Sequence, residues 1–331
     1  MTNKPKVFVT RIIPEEGLSL VREACDMELW EHELPPPREV LLEKIKDKVG
    51  VLSLLTDKID AELMDANPQI RVVSNFAVGF DNIDIKAATE RGLPIGNTPG
   101  VLTDTTADIA FTLLMATARR ISESIDYVRA AKWKTWGPML LMGQDIHKAT
   151  LGIIGFGRIG QGMAKRASGF DMKVLYHDVY RRQDLEQSMG VTYADIDTIL
   201  AEADFVSIHT DLNPSTRYMF NAVAFAKMKR TAILINSARG PIVDHMALYE
   251  ALKSGQILGA GLDVTDPEPI PVDHPLLTLP NCLIVPHIAS ASVATRGKMA
   301  SMAAHNLIAG VRGERLPTPV NPNVYDGKMR K

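Results

Sequence analysis

The stretch Ala149–Asp178 constrains this chain more than any other, because it specifies a strand, a glycine turn, a helix and a second strand in fixed order. Leu151-Gly152-Ile153-Ile154 has strand length and strand residues, and Gly155, Gly157 and Gly160 follow it in the spacing G-x-G-x-x-G. A helical pattern with Met163, Ala164, Ala167 and Phe170 on one face stops near Gly169, and Lys173–His177 forms the next strand, ending at Asp178. Each part has a physical reason. Gly155 permits the tight turn off the strand, Gly157 lets a pyrophosphate approach the backbone, and Gly160 lets the helix pack closely on the strand. The amides of the helix N-terminus then face the phosphates. Asp178, about 20 residues after the glycines, is placed to accept hydrogen bonds from a ribose diol. With strand, helix and acid all in place, the segment reads as a dinucleotide-binding βαβ unit.

The rest of the chain is longer than that unit needs. At 331 residues it has room for roughly two domains. A hydrophobic content of 46%, a charged content of 23% and a formal net charge of −2 describe a globular protein without the basic footprint of a nucleic-acid binder. No apolar run approaches the roughly 20 residues of a membrane helix. The start, Met1-Thr-Asn-Lys-Pro-Lys, lacks a signal peptide's apolar core, and Cys25 and Cys282 lie far apart. Free thiols and a cytoplasmic location are therefore expected.

Before the glycine unit, strands at Lys6–Thr10, Val51–Leu55 and Arg71–Ser74 alternate with helices at Pro14–Ala24, Arg38–Lys48 and Ala61–Asn67. This alternation predicts a smaller parallel-sheet α/β domain over about the first hundred residues. Just beyond its Arg71–Ser74 strand, consecutive amides around Val78 and Gly79 form a candidate nest for a carboxylate. Thr103–Arg120 reads as a helix with Thr103-Asp104 at its cap, too apolar to stand exposed and so expected between domains or subunits. Trp133–Pro138 reads either as an interface or as a loop anchored by buried tryptophans. After the glycine unit come strands at Phe205–His209, Ala232–Asn236, Gly259–Val264 and Cys282–Val285, then a long helix over Ala291–Ala309.

Arg239, Glu268 and His287 each follow one of these apolar strands at its carboxyl end, the edge where ligands bind in parallel sheets. Their types suit the reduction of a ketone acid. A histidine donates a proton well near neutral pH. A neighbouring carboxylate orients it and favours imidazolium. An arginine grips a carboxylate through two parallel hydrogen bonds and polarises a carbonyl. No clustered Cys/His spacing suggests a metal.

These residues resemble the D-isomer-specific 2-hydroxyacid dehydrogenase family over nearly the whole chain. GFGRIG, NSARGPIVD, GLDVTDPEP and PHIAS carry the likeness. Within the family, NFAVGFDNID, GNTPGVLTDTTAD and DVTDPEPIPVDHPLLTLPNCLIVPHI are most similar to glyoxylate/hydroxypyruvate reductases. The resemblance implies an α/β fold of two Rossmann-like, doubly wound parallel-sheet domains. Residues 1–100 and 288–331 would form a flavodoxin-like substrate domain, with a NAD-binding domain inserted at 101–287. It also implies a homodimer, with the helices at Thr103–Arg120 and Ala291–Ala309 as hinge and dimer contact. Arg239 becomes the anion-binding residue, Glu268 the acid partner and His287 the proton donor, while Val78 and Gly79 offer amides to the substrate carboxylate. Cofactor contacts fall on Thr106, Arg158, Ile159, Asp178, His209, Thr210, Ala238 and Asp263, besides the three glycines, Arg239 and His287. Ala289 stands where relatives often have glycine, and a backbone contact to the carboxamide is expected to survive there. Asp178 should repel a 2′-phosphate, although Arg181 and Arg182 oppose it, so NAD(H) is expected ahead of NADP(H). The implied reaction is reduction of a small 2-oxoacid, glyoxylate or hydroxypyruvate. Phosphite, phosphoglycerate or other 2-hydroxyacid oxidation, and a non-enzymatic NAD-sensing role like that of the co-repressors of this fold, are the alternatives.

Overall fold

In the computed structural model the chain divides into two compact units, Met1–Leu102 with Ala291–Lys331, and Thr103–Ser290. The structure describes residues 4–327, so the first residues of the polar start and the last residues of the tail lie outside the described residues.

The first unit runs β1 (Lys6–Val9), α1 (Glu15–Ala24), β2 (Asp26–Leu29), α2 (Arg38–Lys44), β3 (Gly50–Ser53), α3 (Ala61–Ala66), β4 (Val72–Asn75), α4 (Ile85–Glu90) and β5 (Ile95–Gly96). Its five strands are all parallel, in the order β2-β1-β3-β4-β5, which is the flavodoxin-like arrangement. The central strands β3 and β4 are buried at every residue, as a sheet covered on both faces demands.

The second unit begins with α5 (Thr103–Ala118) and α6 (Ile121–Arg129). It continues through β6 (Thr150–Ile154), α7 (Arg158–Ser168), β7 (Lys173–His177), α8 (Gln183–Met189), β8 (Val191–Tyr193), α9 (Ile196–Glu202) and β9 (Phe205–Ile208). Then follow α10 (Ala222–Lys227), β10 (Ile233–Asn236), α11 (His245–Lys253), β11 (Gly259–Leu262) and β12 (Cys282–Ile284). The chain returns to the first unit in α12 (Val293–Val311), capped by the Ser292 hydroxyl. The parallel order β12-β11-β10-β9-β6-β7-β8 reverses direction between β6 and β9, the switch point of a doubly wound sheet. Alternate residues feed two cores. Ile233 and Ile235 of β10 point to one face and Leu234 to the other. The expected fold class, two doubly wound parallel sheets, is the one observed.

Several elements departed from the sequence reading. The edge strands β2, β5 and β8 read Asp-Met-Glu-Leu, Ile-Gly and Val-Thr-Tyr, and lack the continuous apolar run that marks β1 and β12. The helix expected at Thr103–Arg120 ends at Ala118, because Arg120 is left-handed at φ 51°, and α6 starts immediately after it. Thr103 and Asp104 lie inside the first turn of α5 rather than capping it. The apolar face of α5 is buried within its own unit: Ala110, Phe111, Leu113 and Leu114 share a core with Leu151, Ile153, Ile233 and Ile235. The tryptophans of Trp133–Pro138 do not anchor that loop, since Trp133 and Trp136 are 60% and 79% exposed. Among the described residues no helix is long and apolar enough to cross a membrane.

Candidate active site

The turn from β6 into α7 is built by three glycines with three different reasons. Gly155 has φ +91°, and a Cβ there would lie 2.6 Å from the backbone of His209 and Thr210. The turn after β6 therefore packs directly on the turn after β9, at the switch point. A Cβ on Gly160 would meet the Gly155 carbonyl oxygen at 2.2 Å. Gly157 differs: its φ is −70°, and a Cβ would meet nothing within 4 Å. Neither backbone conformation nor packing demands glycine at Gly157, so what remains is open space above the first turn of α7. That is the cradle a pyrophosphate needs, with unpaired helix amides beneath it. Arg158, exposed, and Ile159, half-buried, open the helix.

Asp178 is tied to this cradle. Its Oδ2 accepts the Phe156 amide at 2.6 Å and its Oδ1 the Tyr180 amide at 3.1 Å. A carboxylate offers about four acceptor sites, so both oxygens retain capacity for a ribose diol. Arg181 and Arg182 are already engaged, each through two bonds of 2.7–2.9 Å, with Glu186 and Asp184 respectively. On β9, Ser207 Oγ meets His209 Nε2 at 2.8 Å, and burial pushes the His209 imidazole down to about 4, so it is neutral at ordinary pH. Thr106 is buried in α5, one residue before the Ala107 methyl that faces Gly162 of α7.

Farther along the same sheet edge, the loops after β10, β11 and β12 bring Arg239, Glu268 and His287 together. His287 Nδ1 and Glu268 Oε1 are 2.5 Å apart. Burial raises the Glu268 carboxyl, but the His287 hydrogen bond and charge, the Thr265 amide and the Arg239 charge outweigh it and hold the group below the usual carboxylate range. Arg239 is half-buried and donates to the Ala238 carbonyl at 2.8 Å. Asn236 grips both ends of that loop, donating to the Arg239 carbonyl and accepting from the Ala238 amide. The two loops touch at Gly240, where a Cβ would lie 1.9 Å from the Thr265 carbonyl oxygen.

His287 itself is left-handed at φ 52°, a conformation that costs an L-residue on the order of 1 kcal/mol. Asp263 holds it there. The Asp263 carbonyl accepts the His287 amide at 2.9 Å, and its carboxylate accepts the Ile288 and Ala289 amides at 2.7 and 2.9 Å. Asp263, 1% exposed, is therefore bonded to the loop that carries His287, and its carboxylate takes the Ala289 amide.

In the first unit, the Ala77 carbonyl accepts the Thr98 amide and the Val78 carbonyl accepts from the Asn97 side chain. The peptide planes that carry the Val78 and Gly79 amides are thereby fixed, and among the described residues neither amide has an acceptor of its own. Gly240, Asn236 and Asp263's role as a brace were not evident in the sequence. Asn236 alone had a local signal, its position at the end of a predicted strand.

Comparison with known proteins places the chain in a family. The family profile of the D-isomer specific 2-hydroxyacid dehydrogenase NAD binding domain matches residues 111–289. The chain belongs to the D-isomer specific 2-hydroxyacid dehydrogenases. It is 54% identical over 322 residues to a glyoxylate reductase from Korarchaeum cryptofilum, covering 97% of both chains. Among solved structures it is similar to the TT0316 protein of Thermus thermophilus, at TM-score 0.90 and 45% identity, covering 95% of this chain and 99% of that one. It is also similar to an NADPH-dependent glyoxylate/hydroxypyruvate reductase from Sinorhizobium meliloti in complex with NADP and malonate, at TM-score 0.84 and 32% identity, covering 96% and 97%.

The glycine geometry separates two roles. Gly155→Ala is expected to lower thermal stability by about 1–3 kcal/mol, through strain and overpacking. Gly157→Ala should leave the melting temperature nearly unchanged yet weaken coenzyme binding roughly tenfold or more, by holding the pyrophosphate off the amides. Thermal scanning and nicotinamide fluorescence titration read the two effects. Equal behaviour of the two variants would contradict the assignment.

Proposed function

We propose that this protein is an NAD(H)-dependent reductase of glyoxylate, and of hydroxypyruvate, giving glycolate and D-glycerate. The observation that carries the reading is the His287–Glu268 pair at 2.5 Å beside the Arg239 charge, on the sheet edge that also carries the glycine cradle. The printed names of the relatives support the same substrate class. A reduced nicotinamide, when bound, supplies the hydride. The chain's own residues do the rest. Arg239 binds the substrate carboxylate and polarises the adjacent carbonyl. The Val78 and Gly79 amides are the anion-binding element of the first unit. Glu268, held ionised, keeps the His287 ring oriented through Nδ1. Nε2 is then the nitrogen that delivers the proton to the new alkoxide.

NAD(H) is favoured over NADP(H) on charge. Asp178 presents a carboxylate where a 2′-phosphate would sit, and the two arginines that follow are neutralised by Glu186 and Asp184. The protein acts in a reducing cytoplasm, which its two free cysteines support. It works as a homodimer. The helix α6 buries none of its residues, and Ile121, Ile125 and Val128 form an exposed apolar stripe continued by Trp133, Trp136, Met139 and Met142. A helix with such a stripe normally covers it, and a patch of this kind marks a partner.

Three measurements test this reading. His287→Ala should slow glyoxylate reduction by about 100- to 10,000-fold with coenzyme binding retained, and near-full turnover would remove His287 from the reaction. Asp178→Ala should lower the ratio of kcat/KM with NADH to that with NADPH by on the order of tenfold, the loss of hydrogen bonds to a charged group. The ratio cancels any loosening of the glycine loop common to both coenzymes, so an unchanged ratio refutes the charge argument. Ile125→Glu combined with Val128→Glu should convert a dimer to a monomer in sedimentation velocity; a parent chain that already sediments as a monomer would dispose of the dimer.

A further inference from the structure

Behind the Glu268 loop lies a histidine that the proton-transfer pair does not use. His245 is the first residue of α11 and is 5% exposed. Its Nδ1 accepts the Asp266 amide at 3.3 Å. In the neutral ring the proton then resides on Nε2, which is buried and has no partner among the described residues. An unpaired buried donor costs about 1–3 kcal/mol. Stability alone would therefore favour an apolar side chain here. What the imidazole contributes instead is the acceptor at Nδ1.

That acceptor acts on a segment with few handles. Between Asp266 and Pro269, Pro267 and Pro269 have no N–H, so only Asp266 and Glu268 have backbone donors, while the Pro267 carbonyl accepts the Thr265 hydroxyl at 2.9 Å. His245 takes the first. The Asp266 carboxylate is held from the other side by the Tyr218 hydroxyl at 2.9 Å, with Arg217 at 4.0 Å. Two residues later, Glu268 reaches His287. The chain is thus clamped immediately before the residue whose placement within a fraction of an ångström decides the proton relay.

We propose that His245 is a positioning residue for Glu268, holding the Asp266–Pro269 segment through its neutral Nδ1, and that protonating it releases the segment and slows the reaction. The inference rests on the reading of Glu268 and His287 as the acid–base pair. The groups facing His245 are Asp244 on its own helix, Asp266 on the Glu268 segment and His274, whose ring lies 6.0 Å away edge-on. Burial lowers the His245 proton affinity below the usual histidine range, His274 lowers it further, and Asp266 and Asp244 oppose them. The ring is therefore neutral at neutral pH and charges only on the acid side. Once charged, Nδ1–H confronts the Asp266 N–H, donor against donor. The reaction should therefore lose rate as His245 charges.

The test compares His245→Leu, which removes the acceptor, with His245→Asn, whose amide oxygen can replace Nδ1 and does not titrate. kcat for glyoxylate reduction at saturating NADH is followed from neutral pH into the acid range below that of an ordinary histidine. His245→Leu should lose roughly ten- to hundredfold in kcat with NADH affinity unchanged, whereas His245→Asn should stay within about threefold of the parent. His245→Asn should also lack the parent's fall in acid. Parental kcat in the leucine variant, or an unaltered acid-side fall in the asparagine variant, overturns the proposal; if the leucine variant does not fold, the asparagine profile decides alone. His287→Ala in the same assay separates the two readings: activity there defeats the acid–base pair itself, while its loss alongside a parental His245→Leu defeats only the role of His245.

Discussion

The candidate site depends on one buried carboxylate. Asp263 stands at the end of β11 and bonds three successive amides of the loop after β12: the carbonyl takes His287, and the carboxylate takes Ile288 and Ala289. Burial raises this carboxyl, and the two amide bonds and the His287 charge work against that rise. The geometry has a clear consequence. His287 occupies a left-handed conformation that an isolated chain would leave, and the three bonds retain it with the ring directed at Glu268. A side chain held in this way keeps its direction without support from a ligand.

The same economy recurs along the sheet edge. Parallel strands put all their carboxyl ends on one side, so loops from distant parts of the sequence meet there without special arrangement. What needs arranging is how closely they meet. Gly155 allows the coenzyme turn to rest on the His209–Thr210 backbone, and Gly240 allows the Arg239 loop to rest on the Thr265–Asp266 peptide. In both places a single methyl group would push two functional loops apart. Backbone-to-backbone contact leaves little freedom, which is what a site for hydride and proton transfer requires.

The two units carry different kinds of exposure. The first presents the Val78 and Gly79 amides, whose peptide planes are pinned at the Ala77 and Val78 carbonyls by Thr98 and Asn97, a small rigid donor site. The second presents an apolar face on α6 and the segment after it, with Trp136 79% exposed. Composition alone does not distinguish these tryptophans from core residues.

Local pattern determined much of this protein. The glycine spacing, the apolar runs and the positions of Arg239, Glu268 and His287 at strand ends all lie within short windows, and strand period and turn chemistry are properties of such windows. The fold class, the glycine turn and the convergence of the three side chains were therefore legible. The three-dimensional fold decided the rest: that Asp263 braces a loop 24 to 26 residues away, as the Ile288 and Ala289 bonds show; that Gly240 is pressed against Thr265; that α5 buries its face in its own unit; and that Arg181 and Arg182 are neutralised. Most of these are contacts between positions far apart in the chain, and the arginine pairs depend on the turn that brings acid and base together. Neither periodicity nor motif records which backbone a residue will meet once the sheet has closed over its cores.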